Sequence, residues 1–295
     1  MANRKICRLA RNMKPKKTGI QFESNAHWYD KDGKPCHDAT LRDARKQGLY
    51  ASPTTIDKDV FRNEFLEKYK LNQLAIAASE TFRQSHEDQD AYINRIYELS
   101  NQHRDQAAEF GKELHNAVER YPTPHDDPKY HPFVARFAEW YDANVGQVIA
   151  AEKVLIDHDI GVAGRCDCIA YGKGQFEGKI ILPDWKTQGV SKDEKGRKEP
   201  RFYSSWVRQL AFYATSYGKE ALLFPDRLPT CISVVIDSNE PELPFIKVWT
   251  EDEIREAYKQ FVMATWYWYS GMGKRKPYWP HPKGPITITS SVPML

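Results

Sequence analysis

Three short β-like runs, over residues 148–156, 161–171 and 179–187, follow one another through the middle of this chain, with helical patterning on both sides of them. Upstream, from 55 to about 121, helix formers dominate and apolar residues recur at three-to-four spacing. Phe61, Phe65, Leu66 and Tyr69 show it first, and Phe110, Leu114, Ala117, Val118 and Tyr121 repeat it, so two or three helices are predicted there. A further helix over about 132–144 places Phe133, Phe137, Trp140 and Tyr141 on one side. Downstream come a helix over about 204–217, strands near 230–237 and 245–249, and a helix opened by Thr250 and Glu253 at capping-box spacing. The order is helix, three strands, helix, two strands, helix, an α/β arrangement. Residues 1 to about 55 read as irregular, with a hairpin where His27-Trp28-Tyr29 meets the turn-forming Asp32-Gly33-Lys34-Pro35.

At 295 residues and 41% apolar content the chain can bury a proper core. Its mean hydropathy of -0.69 and the lack of any unbroken apolar stretch of about twenty residues argue against a membrane span. No apolar leader is visible, so a cytoplasmic protein is expected. The acid-free, basic start (Arg4, Lys5, Arg8, Arg11, Lys14, Lys16, Lys17) imitates a transit peptide in charge, but it has no serine and little amphipathic periodicity. Five scattered cysteines, Cys7, Cys36, Cys166, Cys168 and Cys231, suggest neither a disulfide framework nor a paired zinc motif. A net charge of +3 is too small to argue for a nucleic-acid partner, so the argument passes to motifs.

The run Leu182-Pro183-Asp184-Trp185-Lys186-Thr187 sets Asp184 and Lys186 two apart on a strand, projecting from one face. Gly164-Arg165-Cys166-Asp167 supplies a second carboxylate on the preceding strand. A hairpin centred between Gln175 and Phe176 brings Asp167 opposite Asp184. Two carboxylates and a lysine then converge, which suits phosphodiester hydrolysis: hard oxygens hold Mg²⁺, which polarises a phosphate and acidifies a bound water. Lys186 can serve either as a general base or as an electrostatic positioner. Taken alone, D-x-K is common by chance and marks a solvated strand face. Two further pairs shift that balance. Gly111 and His115 lie one helical turn apart, with His115 a candidate metal ligand or a packing histidine; Gln209 and Tyr213 share a helix face.

In order, GxxxH (Gly111, His115), GxxD (Gly164, Asp167), DWKT (Asp184 to Thr187) and QxxxY (Gln209, Tyr213) resemble the RecB-type branch of the PD-(D/E)XK nucleases, a group with mitochondrial and phage exonucleases among its members. The motifs cover residues 111–213, about a third of the chain. The resemblance implies a restriction-endonuclease-like core (αβββαβ, a mixed sheet flanked by helices) over 106–271, an irregular and helical extension over 1–105, and an extended tail over 272–295. It makes Asp167, Asp184 and Lys186 catalytic, and makes His115, Asp167, Asp184 and the main-chain carbonyl of Trp185 the metal ligands. Gly111, Gln209 and Tyr213 support the site or the DNA, and Glu152 matches a further acidic position of some relatives. The implied cofactor is Mg²⁺, with Mn²⁺ able to substitute. Cys231 is the single cysteine after the catalytic strands, so no iron-sulfur cluster is expected. The implied activity is a DNA exonuclease acting on free ends and preferring single strands. The alternatives are a structure-specific endonuclease on the same core and a DNA-binding recombination module that has lost catalysis.

Other features say less. The loop carrying Lys192, Lys195, Arg197, Lys198 and Arg201 reads as mobile, with a slight lean towards phosphate contact because it leaves the catalytic strand directly. Of Trp266, Tyr267, Trp268 and Tyr269, at least half are expected in the core. His125 and His131 have no ligand spacing and are placed in a loop.

Overall fold

The computed structural model describes residues 28–271, apart from 37, 62, 63 and 224–226 and the side chains of 64–66, 103, 104, 106 and 107. The basic run to Lys17, His27 and the tail over 272–295 lie outside the described residues, as do the side chains of Phe65 and Leu66. The fold is α/β: one mixed sheet with helices packed on it. Its strands are β1 (Trp28–Tyr29), β2 (Tyr50–Ala51), β3 (Val145–Asp157), β4 (Val162–Gly172), β5 (Ile180–Gln188), β6 (Thr230–Asp237) and β7 (Phe245–Val248). The helices are α1 (Leu41–Gln47), α2 (Pro53–Val60), α3 (Glu64–Glu80), α4 (Gln89–Glu119), α5 (His131–Asn144), α6 (Ser204–Glu220) and α7 (Glu251–Tyr269).

Short turns make β3, β4 and β5 successive antiparallel neighbours, whereas α6 carries the chain back so that β6 runs parallel to β5 from Ile181↔Thr230 to Gln188↔Asp237. The β4–β5 register is the expected one, with Ala170 opposite Ile181 and Tyr171 opposite Ile180. Past those two pairs the strands part. At its other end the same edge of β4 meets β2, through Ala51↔Val162, and among the described residues no ladder pair lies between. A gap is left in the sheet, and Asp167 stands in it.

Alternation along β5 explains how the two faces are covered. Leu182 enters a core built with α2, α6 and α7, among Leu210, Phe212, Phe261 and Trp268. Ile181 and Trp185 face the other way, into a core of Leu114, Val118, Phe133 and Phe137 from α4 and α5. Residues 28–60 share the first core: Trp28, Ala44, Leu49, Ala51 and Ile56 are buried in it, and the Trp28 ring lies 5.9 Å from that of Trp268. The boundary expected near residue 105 falls inside α4.

Three helices, α2, α3 and α4, fill the region read as helical. Helix α3 packs chiefly on α4; their junction is pinned by Arg95 Nη2 on Glu87 Oε2 (2.7 Å) and by the Tyr92 hydroxyl donating to the Thr81 carbonyl (2.8 Å). The turn after β1 forms as read, with Gly33 at φ 82° and Tyr29 bridging Pro35, although β1 ladders with β2. The capping box of α7 is present, Trp268 and Tyr269 are buried, and Trp266 and Tyr267 are exposed.

The basic loop after β5 differs from its reading as a mobile, phosphate-facing segment. Lys198 Nζ lies 2.6 Å from Asp237, 2.9 Å from Glu240 and 2.6 Å from Glu242, while Arg197 pairs with Asp193 and Lys192 with Glu240. Asp237 at the end of β6 and Glu240 and Glu242 of the β6–β7 turn surround Lys198, and Arg197 is paired within its own loop, so Lys198 is not offered to DNA. His131 opens α5 rather than lying in a loop, its ring 2.7 Å from the His125 carbonyl. The four described cysteines are free thiols. No described helix is long and apolar enough to cross a membrane.

Candidate active site

Four elements meet at the gap between β4 and β5. From β4, Asp167 reaches across and its Oδ2 accepts the Trp185 amide at 2.7 Å, a bond that replaces the missing ladder. On β5, Asp184 is 1% exposed, and its Oδ2 lies 2.6 Å from Lys186 Nζ. Beyond that ion pair neither oxygen of Asp184 accepts a hydrogen bond. The Trp185 ring points to the opposite face, edge-on to Phe137 at 5.0 Å and packed near Trp140 and Tyr141. That anchor sets the roll of β5, which aims both Asp184 and Lys186 into the gap.

Helix α6 closes one side. Gln209 Oε1 accepts from Lys186 Nζ at 3.3 Å, and Gln209 Nε2 donates to the Tyr213 hydroxyl at 3.1 Å. Gly164 lets the phenol come this close, because a Cβ there would lie 2.7 Å from Pro53 Cδ and 3.0 Å from the Tyr213 ring. Helix α4 closes the other side. A Cβ on Gly111 would lie 3.1 Å from Thr187 Oγ1, and that hydroxyl donates to the Gly111 carbonyl at 3.2 Å, so the glycine is where helix meets strand.

One turn beyond Gly111 stands His115, and one turn further stands Glu119, whose Oε1 is 2.7 Å from His115 Nε2. Ligand atoms of His115, Glu119 and Asp167 all lie within 4.8 Å of one another. Glu119 was not singled out in the sequence; its signal was the His-x-x-x-Glu spacing, which stacks both side chains on one helix face. Glu152 also arrives. Its neighbours pair as Ala151↔Cys168 and Lys153↔Cys166, which sets it across from Asp167, with φ at 50° and its carboxylate 2.7 Å from Arg165 Nε. A non-glycine residue in the left-handed region of a strand is strained, and such strain concentrates at functional sites. His115, Asp167, Asp184, Lys186, Gln209 and Tyr213 thus meet at one gap, with Glu119 added, while Glu152 lies beside it on β3 with its carboxylate on Arg165.

Electrostatics follow from crowding. Burial, and then the charge of Asp184, push the Asp167 carboxyl up to about 7, against the pull of Lys186 and His115. For Lys186, burial favours the neutral amine, yet Asp184 and Asp167 outweigh it and raise its pKa, so the group is an ammonium here. Burial likewise opposes charge on His115, but the Glu119 hydrogen bond and Asp167 together raise its pKa. Glu119 is lowered despite burial, through His115. Burial and the nearby Glu119 raise Glu152. Burial holds the Tyr213 phenol neutral.

A divalent cation suits this donor set. Compared with known proteins, the chain matches no family model and no curated protein.

Proposed function

We propose that this chain is a Mg²⁺-dependent deoxyribonuclease on a restriction-endonuclease-like core, hydrolysing phosphodiester bonds from DNA ends with a preference for single strands. The observation that carries the reading is the gap itself, where Asp167 and the buried Asp184, whose one charge partner is Lys186, come together. Asp167, Asp184, His115 and Glu119, with the Trp185 carbonyl, would hold the metal. Bound there, Mg²⁺ supplies charge for the phosphate and a more acidic water.

The protein's own groups do the rest. Lys186, held as an ammonium between Asp184 and the Gln209 carbonyl oxygen, presents positive charge where an attacking water and a phosphate oxygen meet. Gln209 fixes the direction of that ammonium, and Tyr213 fixes Gln209. The low-dielectric walls, Trp185 with Phe137 on one side and α6 on the other, strengthen each of these charges. Action at ends is the reading for which the α3–α4 hairpin, joined at the end of α4 away from Gly111, gives the enzyme material to flank a threaded strand.

Linear and closed-circular single-stranded DNA of one sequence, each incubated with Mg²⁺ and with EDTA, test the reading. Degradation of the linear form with survival of the circle is expected; cutting of both at similar rates establishes the endonuclease, and cutting of neither overturns the enzyme.

A further inference from the structure

The site continues past Lys186 into an aromatic cluster, two of whose rings neither catalysis nor the core uses. Gln188 shares a strand face with Asp184 and Lys186, two residues further on. Its side chain holds the backbone of Arg201 twice: the Arg201 amide donates to Gln188 Oε1 at 2.9 Å, and Gln188 Nε2 donates to the Arg201 carbonyl at 3.4 Å. The segment that begins there, Phe202 and Tyr203 leading into α6, is thus moored at the rim of the gap. Within α6, Trp206, Gln209 and Tyr213 fall on one stripe, so Trp206 stands one turn before the glutamine that touches Lys186.

Three rings cluster at this spot. Trp206 lies 5.0 Å from Tyr203 and 6.4 Å from Phe202, both edge-to-face. Phe202 rests against the core of α2, α6 and α7, but neither Tyr203 nor Trp206 belongs to either core cluster. Tyr203 is 38% exposed and Trp206 half-buried. Rings that the core does not need, moored beside buried charges, match a ligand with flat apolar faces attached to an anionic chain.

We infer that Tyr203 and Trp206 form a stacking platform for a nucleobase of the strand whose phosphate lies at Lys186. The inference rests on the nuclease reading and adds to it the feature that a strand is gripped by its bases. A paired base hides its faces in the duplex, whereas an unpaired one presents them, so the platform selects single strands without reading sequence.

The test separates bases from phosphates. The full-length protein, with Ca²⁺ in place of Mg²⁺ to hold the substrate intact, is titrated with a labelled oligothymidylate and with an abasic oligomer of equal length. Wild type is expected to prefer the thymidylate by roughly ten-fold or more, the scale of one stacked base. The variant Y203A/W206A should bind both alike, near the wild-type affinity for the abasic oligomer, and Y203F/W206F should keep the preference. Equal binding by wild type, or a preference retained in the alanine variant, overturns the platform. If the double variant does not fold, Y203A alone, at an exposed position, should reduce the preference, and no reduction is the overturning result. Cleavage by wild type in Mg²⁺ reports on the other reading independently: cleavage without base preference removes the platform alone, and base preference without cleavage removes the nuclease alone.

Discussion

Asp184 makes a heavy demand on the fold. A carboxylate at 1% exposure, with Lys186 as its one compensating neighbour, sits opposite another acid already pushed up to about 7. Lys186→Ala is expected to remove cleavage while DNA binding in Ca²⁺ remains, because the ammonium acts where charge develops rather than on ground-state affinity. Turnover near the wild-type rate would end that role. Glu119→Gln should weaken divalent-metal affinity by roughly 10–100-fold, the usual cost of disturbing a ligand or its hydrogen-bond partner. Calorimetric titration with Mn²⁺ measures this, and unchanged affinity would leave Glu119 as a helix-surface partner of His115. The triad of Asp167, Asp184 and Lys186 was legible in the sequence because strand parity and a symmetric hairpin suffice to bring it together. Glu119 was overlooked because its meaning depends on which face of α4 meets the sheet, and only the Gly111–Thr187 contact decides that.

Among the elements, β4 depends on a missing side chain. Gly164→Ala sets a methyl 2.7 Å from Pro53 and 3.0 Å from Tyr213, pressing α2 and α6 away together. A loss of about 1–3 kcal/mol in unfolding free energy is expected from such overpacking. Activity should fall further than stability does, since Tyr213 carries Gln209; denaturant melts beside rate measurements at a temperature where the variant is folded separate the two. The loop after β5 yields a pH effect. Although burial works against its charge, Asp237 is held below the ordinary carboxylate range by Lys198 and by backbone amides. A depressed carboxyl stabilises the fold above its unfolded pKa and loses that contribution as pH falls through the folded value. Melting temperature should therefore decline below about pH 4, the region of the unperturbed value. In Lys198→Met this acid loss should shrink, because a carboxyl no longer held down has less stability to lose on protonation, and an acid limb as steep as that of wild type would show that Lys198 does not hold Asp237 down. A charge run alone could not reveal this loop's state, because the partners Asp237, Glu240 and Glu242 follow some forty residues later in the sequence.

For the whole molecule, the helical order was readable from periodicity and the β4–β5 pairing from its hairpin, but the part played by residues 28–60 was not. Two-residue strands leave too little alternation to detect, and the burial of Trp28 against Trp268 joins opposite ends of the chain. A protein beginning at residue 106 loses β1, α1, β2, α2, α3 and just over half of α4; it is expected to be molten or insoluble rather than a free nuclease core. A cooperative melt from that fragment would refute the shared core.

Helix α4 spans Gln89–Glu119 without interruption and touches β5 through Gly111. Mechanically it is a lever with a fulcrum at Thr187: about 33 Å of rod lie on the α3 side of that contact, and about 6 Å separate it from His115. The arms differ roughly five-fold in length, so a swing of about 5 Å at the far tip becomes about 1 Å at the imidazole, a displacement on the scale that separates aligned from misaligned catalytic groups. Buried Leu114, Ala117 and Val118 hold that end of the rod, so His115 and Glu119 receive such a swing only as far as their packing yields.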